Sequence, residues 1–447
     1  MRNLIIYGFL MFFFSCAKEE AEVAYDSLRT DFEGSLEWVK SFGGSGAESA
    51  NAIIRTSDGG FAVLGYTSSI DGDITTKTEE ENDYWLLKFD TEGNLQWNRT
   101  YGGSKDDVGQ SLAQTTDGGY VLTGYSMSDD GDASKNQGFH DNWILKLDEK
   151  GDLEWESSYG FSGHDHSYDI LETKDGGFFF TGFLDITSAR ADGNTEKGNG
   201  LTSHGVGEFW GTKIDEAGSV QWRGYFGGTN NDRAHAVVQA ADGGFVMTGF
   251  SESDDFDISN TNGSYDFWMV KVDTFGNLVW EHSFGGSGIE VSYDIAKTKD
   301  GGYVVVGNTF SNDGDISQNK GASDIWMVKV DSEGNLLWER TFGGSEFDLA
   351  QAVVQSKDGG YLITGNSKSS DVDAVENNGE NDIWILKTNG NGDVVWQKSF
   401  GGSGLDFGLD LLEDENGHIL VVGESASTDF NSLVTKGKID LILLKIK

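Results

Sequence analysis

An aromatic-Gly-Gly-Ser/Thr element recurs along the chain at Phe42, Tyr101, Phe226, Phe284, Phe342 and Phe400, and an altered copy at Tyr159 has Phe161 in place of the second glycine. Successive copies lie 59, 58, 67, 58, 58 and 58 residues apart. A fixed period of this length means an array of one supersecondary unit, each copy needing its neighbours to cover its apolar faces. The period runs from about residue 36 to the end of the chain, so residues 35–447 read as one domain rather than two or three.

Within one period the residues between Glu48 and Asp58 read as a short strand, here called A, and Asp58-Gly59-Gly60 supplies a tight hairpin. Strand B is FAVLGYT, 61–67. A longer polar loop leads to strand C, DYWLLKFD, 83–90, and Thr91-Glu92-Gly93-Asn94 turns the chain into strand D, LQWNRTY, 95–101. Four antiparallel strands per period describe a blade of a β-propeller. The two ends of the chain are complementary: the last repeat stops after strand C, whereas 36–42 is a strand D with no A, B or C before it. Together they make a seventh blade, so the expected fold is all-β, a closed seven-bladed propeller without free sheet edges.

All 13 tryptophans occupy repeat positions in strands C or D, which favours packing between blades over a sugar-stacking platform. The combined pattern Asp-x-Trp-x-x-Lys-x-Asp, Gly-Asn-x-x-Trp, aromatic-Gly-Gly-Ser and Asp-Gly-Gly-Tyr resembles the SBBP-like β-propeller repeats of secreted and surface bacterial proteins. The resemblance implies the fold and no particular activity.

Arg2, the apolar run from Leu4 to Phe14, and Ser15-Cys16 have the layout of an export signal. FFSC resembles a bacterial lipoprotein lipobox, which implies lipidation at Cys16. Ala17-Lys18-Glu19-Glu20 resembles the short export tag of surface lipoproteins. The expectation is a signal peptide at 1–15, a lipidated, acidic tether at 16–34, and an outer-membrane, surface-exposed location with lipid as the sole membrane contact. Cys16 is the single cysteine, so no intrachain disulfide forms. A net charge of −42 repels phosphate backbones and excludes nucleic acid as a favoured partner, while glycans, proteins and cations remain compatible. A monomer that binds a glycan or protein partner is the leading expectation. A glycan hydrolase or lyase and a purely structural ring are the alternatives.

The tight A–B and C–D turns leave the B–C loops and D–A connectors to share the other face, where function has room. Three features lie there. One is a ring of acids at the head of each strand A: Glu48, Asp107, Asp165, Asp232, Glu290, Asp348 and Asp406. They either gather cations or accept N–H bonds from their own glycine turns; their recurrence favours the second. The next is an Asp-x-Asp in the B–C loops, at Asp71/Asp73, Asp130/Asp132, Asp255/Asp257, Asp313/Asp315 and Asp371/Asp373, weakening to Asp429/Asn431. These suit Ca²⁺ coordination or simple Asx turns. The last breaks the symmetry: His140, His164, His166, His204 and His235 lie between residues 140 and 235, around the one period that stretches to 67 residues. His164, His166, His204 and His235, with Asp165 and Asp232, are the candidates for a general acid and base or for Zn²⁺ ligation. Solvated loop histidines are the competing reading.

Overall fold

The computed structural model describes residues 32–161, 163–184, 207–374, 376–430, 433 and 435–447. The proposed signal peptide, Cys16, His204 and Asn431 lie outside them. The described residues form seven four-stranded antiparallel sheets in a ring, a seven-bladed β-propeller. In blade 1 the strands are A Glu48–Arg55, B Phe61–Thr67, C Asp83–Phe89 and D Leu95–Tyr101. Each strand A carries a register shift just after its small third residue, between Ala50 and Ala52 in blade 1.

The seventh sheet joins the ends of the propeller. Leu36–Phe42 pairs antiparallel with Asp440–Ile446, from Leu36↔Ile446 to Phe42↔Leu441. Ser35 and Lys447 exchange both backbone hydrogen bonds, 3.1 and 3.0 Å, and so rebuild across a chain break the hairpin that other blades make covalently. Gly34 completes the imitation. Its φ of +61° matches Gly93 (+73°), and a Cβ there would enter the indole of Trp396, as one at Gly93 would enter that of Trp38. Each strand-D tryptophan thus covers the turn glycine of the next blade.

The strand-C tryptophans Trp85, Trp143, Trp210, Trp268, Trp326 and Trp384 are 0–1% exposed and anchor the apolar layers between blades. Burying a ring of this size removes on the order of 150–250 Å² from water. Strand-C lysines pair with the aspartate of their own A–B turn, as in Lys88–Asp58 (2.8 Å), Lys146–Asp117 (2.9 Å) and Lys387–Asp358 (2.7 Å). Burial alone would raise the Asp58 carboxyl, yet bonds from Lys88 and Thr56 hold it at about 2.

The blades are stitched at one repeated point. The backbone N–H at the head of each strand A donates to the carbonyl just before the preceding strand C, as in Asp107→Asn82 (2.8 Å), Asp165→His140 (2.8 Å), Asp348→Ser323 (2.8 Å) and, across the closure, Glu48→Ile439 (3.0 Å). Every blade junction therefore brings the end of a B–C loop against a D–A connector. That join positions the site described next.

Candidate metal centre

The join between blades 2 and 3 places three histidines at one spot. His140 immediately precedes strand C of blade 2 (Asp141–Leu147), and His164 and His166 flank Asp165, the head of strand A of blade 3 (Asp165–Glu172). His140 and His164 form a parallel bridge. Nδ1 of His140 lies 3.0 Å from Nε2 of His166 and 3.0 Å from Nδ1 of His164. One nitrogen from each ring lies within 4.8 Å of the other two, and among the described residues no second group of three His, Cys, Asp or Glu side chains meets that condition.

These distances fit a metal-ligand set. Zn–N bonds of about 2.0–2.1 Å at tetrahedral angles put ligand nitrogens about 3.3 Å apart, so a modest opening of the triad admits the ion. His166 and His140 are partly buried and His164 is exposed, so an ion held by the three would be reachable from solvent on the His164 side. Two of the rings are shifted towards the neutral form that a ligand needs. Burial first, then the neighbouring His140 and His164, push His166 down to about 3, and burial followed by His164 lowers His140.

Aromatic side chains fix the triad. Tyr125, near the end of strand B of blade 2 (Tyr120–Ser126), stacks on His166 at 4.1 Å and leans on His140 at 4.9 Å. Phe139 stacks on His164 at 5.2 Å with 10° between the planes. Phe183 lies 4.9 Å from His166, and the Arg233 guanidinium sits 4.2 Å from the centroid of the Phe183 ring.

The other sequence candidates have different employment. Asp165 accepts the Phe161 N–H at 2.6 Å, and Asp232 accepts from Gly228 N (2.8 Å), Ser251 Oγ (2.5 Å) and Ser253 Oγ (2.9 Å). Both are fully buried. His235 points its Nδ1 at the Ser292 carbonyl (2.6 Å) and stacks parallel on Tyr293 at 5.2 Å; burial holds it down at about 4. It reaches the triad only through Tyr168, 5.4 Å away. The structure thus groups His140, and not His235, Asp165 or Asp232, with His164 and His166.

The Asp-x-Asp loops act as staples on the glycine connector of their own blade. Asp71 accepts from Ser45 N (2.7 Å) and Asp73 from Gly43 N (2.9 Å). Asp130 and Asp132 hold Ser104 and Gly102, Asp255 and Asp257 hold Thr229 and Gly227, Asp313 and Asp315 hold Ser287 and Gly285, and Asp371 and Asp373 hold Ser345 and Gly343. Lys436 and Lys320 further neutralise Asp73 and Asp373. These bonds join residues 26 or 30 apart in the chain, so they are not the local bonds of Asx turns, and they give the motif a role in fastening loop to connector.

No family model matches the chain. It is similar to the regulatory protein FlaEY of Caulobacter vibrioides, 25% identical over 266 residues, which is 53% of this chain and 28% of that protein. The chain thus spans little more than a quarter of that relative's length. Solved structures similar to it include a Dyadobacter fermentans protein of unknown function (13% identity, 93% of this chain and 100% of that one, TM-score 0.44). The Neurospora crassa Pan2 WD40 domain is another (10% identity, 90% and 89%, TM-score 0.47).

The triad was open to discovery from the repeats alone. At the two bridged positions other junctions carry Asn82/Asp106, Gly207/Asn231, Tyr265/Ile289, Ser323/Phe347, Asn381/Leu405 and Ile439/Ala47. Only the join of blades 2 and 3 has histidine at both, and the residue two past the second is histidine as well.

Proposed function

We propose that this chain is a lipid-anchored, surface-exposed binding propeller whose ligand docks on the loop face at blades 2–4 through a divalent transition metal, Zn²⁺ first, held by His140, His164 and His166. The observation that carries the reading is the convergence of three ring nitrogens, two pairs at 3.0 Å, at one blade junction out of seven. Three neutral histidines and one open position give a metal that accepts a ligand atom from outside the protein. The ligand class expected from the export signal and the acidic exterior is a glycan or a protein partner. The acids that would otherwise serve acid–base chemistry, Asp165 and Asp232, are committed to their turns, which favours binding over catalysis.

A second reading, a metal-dependent glycan hydrolase, draws on the same open position, where a bound water would become a nucleophile near neutral pH. The test is metal analysis of the purified protein with single His→Ala variants. Zinc of about one per chain, falling to near zero in His140→Ala and unchanged in His235→Ala, is expected for a three-ligand site. Metal-free wild type after zinc addition and desalting overturns the proposal. Turnover of a polysaccharide that disappears with the metal promotes the hydrolase.

A further inference from the structure

The charge around the triad specifies the kind of ligand, granted the metal-binding reading above. Three neutral imidazoles leave both positive charges of a divalent ion uncompensated. Arg233 adds a third beside the same Phe183 ring that packs on His166. The acid whose charge acts on His140 is Asp106, which already accepts the Asn82 side-chain amide at 2.9 Å. Asp165, the acid between two of the ligands, is buried and takes the Phe161 N–H. A surplus of positive charge on a chain of net charge −42 is a local reversal, and a partly buried cation site is stabilised by an anion.

We infer that the ligand of this centre is a carboxylate-bearing sugar, with a carboxylate oxygen in the open position of the metal and its charge facing Arg233. Two observations choose a carboxylated ring over a free oxyanion. Arg233 spends its Nε–H on Asn231 Oδ1 (3.1 Å), so its terminal N–H groups are the ones left to meet an oxyanion, and their planar fork suits a carboxylate. Phe139, 60% exposed, lies flat against His164 and offers an apolar face beside the metal on which a sugar ring packs. The metal supplies affinity, Arg233 selects the charge, and Phe139 selects the ring.

Calorimetry of the zinc-loaded protein with a galacturonate trimer, and with the methyl ester of the same trimer, tests this directly. Binding of the acid, at least tenfold weaker binding of the ester, and at least tenfold weaker binding of the acid by Arg233→Gln are expected, with zinc content equal in wild type and variant. Arg233→Lys should recover part of the loss. Equal affinity for acid and ester, an unchanged affinity in Arg233→Gln at full zinc occupancy, or tighter binding of inorganic phosphate than of the trimer overturns the inference while leaving the metal site standing. Absence of zinc from the protein, read separately by metal analysis, removes the metal site and this inference with it.

Discussion

At the level of single residues the chain uses its carboxylates in two opposite ways. The ring acid Asp348 is well satisfied: it accepts the Gly344 N–H at 2.8 Å, the Ser369 hydroxyl at 2.8 Å and the Ser367 hydroxyl. Substituting Asp348→Ala strands those buried donors, and a loss of about 3 kcal/mol in urea unfolding is expected, with Asp348→Asn costing less. A loss under about 0.5 kcal/mol, the level of an ordinary surface change, contradicts that role. Four of the acids at the head of strand C are instead under-satisfied. One carboxylate oxygen of Asp141, Asp266, Asp324 and Asp382 is buried without a hydrogen-bond partner, and burial lifts each of these groups to about 6. At Asp382 the facing ring acid, Asp406, adds to the shift.

At the level of elements, the glycine connector and the B–C loop form one unit. A Cβ on Gly344 would sit 2.5 Å from Asp371 Oδ1 and 2.6 Å from its carbonyl oxygen, because the Asp-x-Asp loop packs directly on that glycine. Blade 3 lacks the Asp-x-Asp motif in sequence, and there Phe161 stands in the glycine's place while its N–H keeps the bond to Asp165. Gly344→Ala is therefore expected to lower the melting temperature by several degrees, about 1–3 kcal/mol of overpacking. Phe161→Gly is expected to leave its connector bond intact. Thermal melts of the two variants check this, and an unperturbed Gly344→Ala melt contradicts the packing argument. This coupling shows what the sequence displayed and what it withheld. Strand positions and the split seventh blade follow from period and pattern, and they were readable. The triad shows only when equivalent junction positions of the repeats are set side by side, because histidines 24 residues apart meet through a bridge between blades. A one-dimensional count gathered His235 with them although it lies behind Tyr168.

For the whole molecule, ring closure and pH response are the testable properties. Removing residues 1–42 deletes the strand that pairs with Asp440–Ile446 and strips Gly34 from the face of Trp396. An aggregating product is expected from the exposed edges; a soluble monomer with the parent's melting temperature contradicts closure by this strand. For pH the sign is fixed by the acids with raised values. Asp169 (about 6), Asp410 (about 7) and the strand-C acids (about 6) bind protons more tightly folded than unfolded, where Asp titrates near 3.9. Their stabilising contribution is complete below the unfolded value and is lost as pH rises through 6 to 7. Asp58 and Asp117, held at about 2, act in the other direction and lose their contribution only as pH falls from about 4 towards 2. The melting temperature is expected to rise from pH 8 to pH 5 and fall again below about pH 4. A melting temperature that declines steadily from pH 8 to pH 5 is incompatible with these carboxyls.

The most direct measurement on the metal centre is the visible spectrum of the protein titrated with Co²⁺. The account predicts the intense d–d bands of a four-coordinate ion, saturating near one equivalent, absent from His140→Ala, His164→Ala and His166→Ala and retained in His235→Ala. A spectrum no different from that of aqueous Co²⁺, or one that survives loss of His140, would contradict it.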